Sequence, residues 1–361
     1  MSTPLIGTAD ALTPEWLASV LTTHDGRSPS ITAVDLQAIG QGQLGATYAV
    51  TPTYGSGGEG FPARVVVKLP AADPNSRAFA QNLGCYAREV AFYTEAASRL
   101  AVRTPQCWAA TVSEDGADFV LVLEDLSPAR ECGQLDGCGV EEARAALAQA
   151  AALHASSWGD AELARAEWLL TGTGVWRHLS AKAPATAEAF AERFAGRMDD
   201  ATERAVAGLA NGPAAVWVER GMRPRCVWHS DFRLDNLLFD AAGGAVPLVV
   251  VDWQSVTWAD GTIDASYFLG AGMPTELRRE HQESLIRGYH EALVAGGVRD
   301  YSWDECWDDY RAHAIAGLLV AITAGMGTTP SPEADALFLT MASRHAQHML
   351  DVDTLSLLAA G

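Results

Sequence analysis

Two periodicities divide the chain. In the first third, ITAVDLQAIG from Ile31, the alternating Tyr48 and Val50, the β-branched run Ala63–Leu69 and DFVLVLEDL over residues 118–126 read as strands. One helix precedes them and another interrupts them. Thr13-Pro14-Glu15 ahead of Trp16, Leu17, Val20 and Leu21 combines a hydroxyl N-cap, a proline at the first position and an apolar stripe. Residues 76–100 place Phe79, Leu83, Tyr86, Val90 and Tyr93 at helical spacing, with Glu89 beside that face. From Val140 the period is mostly helical. VEEARAALAQAAALHASSW carries Leu147 and Leu153 on one stripe, with His154 on its apolar side as a histidine of the core or one that supports a site from behind, rather than a ligand. Further helices are expected over 184–211, 274–297, 302–326 and 332–358. Pro128 and the glycine-rich ECGQLDGCG mark the junction. The pattern predicts an α+β chain: a β-rich N-terminal lobe over 1–126 and a larger, mostly helical C-terminal lobe over 127–361.

One stretch breaks the helical run: VWHSDFRLDNLLFDAAGGAVPLVVVDWQ, residues 227–254. Its apolar runs, Leu237–Phe239 and Pro247–Val251, flank Gly243 and Gly244 and read as an antiparallel hairpin. Folding there sets Asn236 opposite Val251 or Asp252, and directly paired positions have Cβ atoms about 5 Å apart. An amide oxygen and a carboxylate are hard ligands, suited to a magnesium ion that takes its remaining ligands from phosphates and water. Asp231, in the loop just before, can accept a proton from a hydroxyl attacking phosphorus. Turn capping would explain Asp or Asn singly, but not the whole H-x-D-x-x-x-x-N spacing followed by Asp252. A hydrolytic zinc or two-metal site on His229 and Asp231 would need partners such as H-E-x-x-H, which the sequence lacks.

Upstream, Gly40, Gly42 and Gly45 form G-x-G-x-x-G, where backbone amides can approach phosphate without Cβ obstruction. A strand follows it, not a helix, so it is no dinucleotide fingerprint. The strand over Ala63–Leu69 carries a single lysine, Lys68, near its end.

Charge narrows the partners. With 25 Lys plus Arg against 45 Asp plus Glu the net charge is −20, which argues against nucleic acid. The longest apolar run, Ala314–Met326, falls short of the roughly 20 residues needed to span a bilayer. The opening MSTPLIGTADAL lacks a basic segment followed by an apolar one, so no signal peptide is expected. Cysteines 85, 107, 132, 138, 226 and 306 show no metal-ligand spacing and read as reduced thiols of a soluble cytoplasmic protein.

In this order the pieces resemble the protein-kinase-like superfamily. HSDFRLDN followed by VVVDWQ looks most like its small-molecule branch, the aminoglycoside phosphotransferase and ecdysteroid-kinase-like (choline-kinase-related) group. The resemblance runs from about residue 36 to 350 and implies a bilobal protein-kinase-like fold. It implies that Asp231 orients the acceptor hydroxyl and takes its proton, and that Asn236 and Asp252 hold Mg2+ on the triphosphate. Lys68, paired with Glu89, would contact the α- and β-phosphates. Backbone from Glu124 to Leu126 would bond the adenine, and the 40–45 loop would cover the phosphates. The implied activity is phosphoryl transfer from ATP, with GTP also possible, to a small-molecule hydroxyl on an aminoglycoside-like antibiotic or other natural product. Sugar, choline or steroid kinases share the fold, and an inactive nucleotide-binding regulator is the alternative from another class. Asp252 is followed by Trp253-Gln254, not Phe-Gly, no A-P-E follows, and a helix is expected near Ile263. These departures leave no long activation loop and point away from protein kinases. Acceptor contacts are expected from Trp258, Trp303 and Trp307, with Trp176 in the same lobe, because indole faces stack on sugars or hold ammonium groups. Asp260 and Asp264 could each meet an acceptor amine, although for Asp264 the favoured reading is a cap on the helix that starts there.

Overall fold

The computed structural model describes residues 4–22, 26–41, 44–55, 58–223 and 225–359, and Gly42 lies outside them. The chain forms two compact units. One comprises Met1–Ser98, Thr104–Pro128 and Val251–Ser255, the other Arg99–Arg103, Ala129–Val250 and Val256–Gly361.

The smaller unit begins with helix α1 (Pro14–Val20), whose Thr13 side chain accepts the Trp16 N–H. Thr13→Ala should lower stability in urea unfolding by about 1 kcal/mol through loss of this cap. Five antiparallel strands follow: β1 (Ile31–Gln41), β2 (Gly45–Tyr54), β3 (Val65–Pro70), β4 (Cys107–Val112) and β5 (Phe119–Glu124), in the spatial order β1-β2-β3-β5-β4. Val65, Val67 and Leu69 alternate onto the face that packs with Trp16, Leu17 and Val20. Lys68 therefore points to the opposite face, opposite Thr47 on one neighbour and Leu121 on the other.

The helix expected over 76–100 is not continuous. It runs as α2 (Pro74–Asn82) and α3 (Cys85–Ala91), broken where Gly84 adopts φ 67°, then widens into a π turn over Phe92–Ala96. Left-handed backbone is cheap for glycine, and it re-aims α3 so that Cys85, Tyr86, Glu89 and Val90 are all buried.

The larger unit contains β6 (Arg130–Glu131), α4 (Val140–Ser157), α5 (Glu167–Arg193), α6 (Asp200–Leu209), α7 (Pro213–Gly221) and β7 (Cys226–Trp228). Next come β8 (Leu237–Asp240), β9 (Val246–Val250), β10 (Thr257–Ala259), α8 (Thr262–Gly272), α9 (Thr275–Ala295), α10 (Trp303–Gly327), α11 (Pro332–Asp351) and α12 (Thr354–Ala359). The helix expected over 184–211 is a correction: α5 starts at Glu167, passes through Pro184 and ends before Gly196, and Asp199 caps a separate α6. Burial of Leu169, Trp176 and Phe190 outweighs the breaker residues along α5. The hairpin forms as expected, with Leu237 opposite Val250 and Phe239 opposite Leu248. Helix α8 is buried along its whole length.

Candidate active site

In the smaller unit, the Lys68 ammonium lies 2.9 and 2.8 Å from the two Glu89 oxygens and 2.9 Å from Asp252 Oδ1. Burial opposes its charge, but the Asp252 and Glu89 carboxylates outweigh that and hold Lys68 above the ordinary lysine range. Burial pushes Glu89 up and Asp252 adds to it, while Lys68 and the Trp253 N–H pull it back. A charged triad with the lysine protonated is the arrangement these contacts favour. Asp252 itself has φ 67°, a conformation uncommon for residues other than glycine. The residue that follows is anchored: the Trp253 N–H donates to Glu89 at 3.3 Å, and its indole stacks on Phe92 at 3.8 Å between ring centroids. Gln254 Nε2 donates to Asp252 Oδ2 at 3.2 Å. Glu124 closes β5, its N–H donating to Gln106 O and its carboxylate accepting the Gln106 N–H, and Leu126 is buried just beyond.

In the larger unit, β7 pairs with β10 and runs straight into the loop His229–Arg233. The Asp264 carboxylate, rising from α8, accepts the backbone N–H groups of His229 at 2.9 Å and Ser230 at 3.1 Å. It also meets His154 Nε2 at 3.1 Å, and His154 Nδ1 is 2.8 Å from the Tyr289 hydroxyl. Asp264 is therefore not a helix cap. Gly261 precedes α8 without a side-chain cap, and the carboxylate is spent instead on the loop.

Asp231 is surrounded by donors. Asn236 Nδ2 lies 3.0 Å from Oδ2, Arg233 Nε 3.2 Å from Oδ1 and the Tyr267 hydroxyl 3.4 Å from Oδ1. Asn236 Nδ2 also donates to the Asp231 backbone oxygen at 2.8 Å, which leaves the Asn236 Oδ1 as that amide's acceptor atom. Burial opposes the Arg233 charge, but Asp231, Tyr267 and Asp235 outweigh it and hold the guanidinium firmly protonated. The His229 ring accepts the Asp231 N–H at Nδ1, 3.3 Å away.

The four acceptor candidates fare unequally. Asp260 and Trp258 are corrections, because both are core residues, 0% and 2% exposed. Burial opposes ionisation of Asp260, yet His313 and Arg225 keep its carboxyl below the usual range. Asp260, Asp309 and His313 cluster closely enough to suggest a cation site. The Trp217 indole N–H, which can only donate, occupies His313 Nδ1 at 2.9 Å. His313 Nε2 faces Asp260 Oδ2 at 3.5 Å, while Arg220, Arg223 and Arg225 supply positive charge. The cluster is an ion-pair network. Trp303 and Trp307 are partly exposed at the start of α10, Trp303 under the Arg287 guanidinium at 3.9 Å and Trp307 stacked on Tyr310.

Compared with known proteins, residues 44–297 match the ecdysteroid kinase-like family, well over half the chain. The chain belongs to the ecdysteroid kinase-like family. That places it among small-molecule, kinase-like phosphotransferases. Solved structures of the same fold include the gentamicin complex of APH(2'')-IIa, with 13% identity, TM-score 0.52 and coverage of 96% of this chain and 99% of that one. The ethanolamine kinase of Plasmodium vivax shares 11% identity at TM-score 0.52, covering 86% of this chain and 82% of its own. The GDP complex of aminoglycoside 2'-phosphotransferase-IIIa shares 15% identity at TM-score 0.50, covering 93% and 98%. No curated protein sequence matches the chain.

Of the roles missed by sequence reasoning, that of Asp264 matters most. Its partners lie 35 and 110 positions away. The only local signal was an acid at a helix start, which reads as a cap.

Proposed function

We propose that this ecdysteroid kinase-like protein transfers the γ-phosphoryl group of a purine nucleoside triphosphate, ATP in the first place, to a hydroxyl of a small molecule. The observation that carries the reading is the Lys68 ammonium held within 2.9 Å of both Glu89 and Asp252. Such a cation, fixed in place and protonated, can neutralise phosphate oxygens with little reorganisation. The glycine-rich segment 40–45, of which residues 42 and 43 lie outside the described residues, would cover the phosphates, and backbone from Glu124 to Leu126 would bond the adenine.

Asp231 accepts the proton of the attacking hydroxyl, and its donors Arg233, Asn236 and Tyr267 hold the carboxylate in one orientation. By their donors both residues would suit magnesium: Asn236, whose Nδ2 is the donor to Asp231, would offer its amide oxygen, Asp252 would offer carboxylate oxygen, and neither brings nitrogen or sulfur. Magnesium, when bound there, supplies Lewis-acid stabilisation of the triphosphate oxygens.

An amine-bearing polyol, such as an aminoglycoside-like natural product, suits a chain of net charge −20. Partly exposed Trp303 and Trp307 offer ring faces for a sugar or ammonium. Among the described residues no helix is long and apolar enough to cross a membrane, and dependence on ATP suits a cytoplasmic setting. The test is a panel of hydroxylated antibiotics, sugars, choline and steroids incubated with MgATP and read by mass spectrometry. At least one acceptor should gain a single phosphate. Nucleotide binding with no acceptor modified and no ATP turned over would favour an inactive regulator.

A further inference from the structure

We propose that Trp176 is a positioning residue for Asp231, acting through the hydroxyl of Ser230; this rests on the reading of Asp231 as the proton acceptor. Ser230 sits between His229 and Asp231 with φ 75°. For a residue with a Cβ that conformation costs about 1–2 kcal/mol, so the surroundings must hold it. They grip it twice. The Asp264 carboxylate takes the His229 and Ser230 N–H groups. The Trp176 indole N–H, 3.0 Å away, donates to Ser230 Oγ. The first grip fixes the backbone before the turn. The second fixes the side chain at the residue whose φ sets the direction in which Asp231 leaves.

The indole is located by the same strands that launch the loop. Four residues before Trp176, and so on the same face of α5, Gly172 lies against β10. A Cβ there would come within 2.6 Å of Thr257 Oγ1 and 2.7 Å of Thr257 Cβ. Thr257 Oγ1 donates to the Leu169 carbonyl at 2.5 Å, and Thr257 pairs with Trp228, the last residue of β7. The Trp176 ring then packs on Trp228 at 4.8 Å and Trp217 at 5.7 Å between centroids. Helix, strand and loop are therefore in fixed register, and the 6% of Trp176 surface left exposed leaves the indole no room to swing. Packing alone would be served by phenylalanine. The N–H is what ties α5 to the turn.

The dependence can be read in both directions. In NMR spectra, the Trp176 indole N–H resonance, assigned by its loss in Trp176→Phe, should move upfield in Ser230→Ala. In the crystal structure of Trp176→Phe, the Asp231 carboxylate should leave the position it holds in the wild-type protein. In turnover, with MgATP and water as acceptor, Trp176→Phe and Ser230→Ala should each lower kcat about ten-fold at unchanged KM for ATP, the value of one hydrogen bond. The double variant should fall no further than the worse single one, since both remove the same bond. Ser230→Gly, which relieves the φ cost but lacks the hydroxyl, should lie between wild type and Ser230→Ala. An unmoved Asp231 carboxylate in Trp176→Phe overturns the proposal whether or not ATP is turned over. So do additive losses, or a raised KM at constant kcat. Failure of the underlying reading shows separately, as Asp231→Asn hydrolysing MgATP at the wild-type rate.

Discussion

Asp231→Asn should lower phosphoryl transfer by roughly 10²–10⁴-fold, the contribution of a positioned base, while ADP still binds. The substitution keeps the shape of the side chain and removes its charge and basicity. The surroundings tolerate this: Arg233 also pairs with Asp235, and Asn236 still donates to the Asp231 backbone oxygen at 2.8 Å. Asp252→Asn should behave differently. It removes one of the two carboxylates that surround Lys68 and, on the proposed reading, a magnesium ligand, so the loss should appear in the affinity for the magnesium–nucleotide complex. Calorimetric titration with MgADP, beside single-turnover transfer from MgATP, separates the two. If Asp231→Asn instead abolished nucleotide binding and Asp252→Asn left it intact, the assignment of base and ligand would be reversed.

What could be read in advance follows a physical boundary. Features set by neighbours along the chain were legible. The Thr13 cap, the β8–β9 hairpin about its glycines and the alternation that turns Lys68 away from the α1 face all follow from local rules. Features decided by distant packing were not. Pro184 lies inside a helix because Leu169, Trp176 and Phe190 bury its flanks, and nothing within a few residues of it shows this. Cys107–Val112 forms a sheet strand although its residues drew no strand assignment, because β5 pairs along it. Asp264 looked like a cap and is a brace for the loop, and Asp260 looked like a ligand for an acceptor and is enclosed by arginines. In both cases the carboxylate was visible while its partner was not. Polar groups in the larger unit find their counterparts across long loops of sequence, and pairing of that kind has no periodicity to read.

The same boundary hides the residues that should make the protein acid-sensitive. His345 and His348 on α11 are both 0% exposed, and among the described residues none of their four ring nitrogens makes a hydrogen bond. Glycines admit the rings. A Cβ at Gly317 would lie 2.1 Å from His345, and one at Gly270 would lie 2.5 Å from His345 Nδ1 and 2.9 Å from His348 Nδ1. His345 stacks on Tyr267 at 5.4 Å and His348 faces Tyr310 at 5.0 Å. Burial, with the Arg278 and Arg344 guanidiniums adding to it, pushes the His345 pKa down to about 3. Burial and Arg278 likewise push His348 well down. Both rings are therefore neutral in the folded protein, while in the unfolded chain each takes a proton below about pH 6.5. The unfolded state binds more protons, so stability is intact above that pH and falls as pH drops below it, until the folded rings themselves titrate. Each ring contributes about 1.4 kcal/mol per pH unit, or together about 4 kcal/mol between pH 8 and pH 5. That is a large share of the 5–15 kcal/mol of a typical domain. Urea unfolding at half-unit pH steps measures it. His345→Phe, which keeps an aromatic ring against Tyr267, should halve the slope in this window. A slope unchanged by the substitution, or a stability flat from pH 8 to pH 5, would show that the rings take up protons without unfolding.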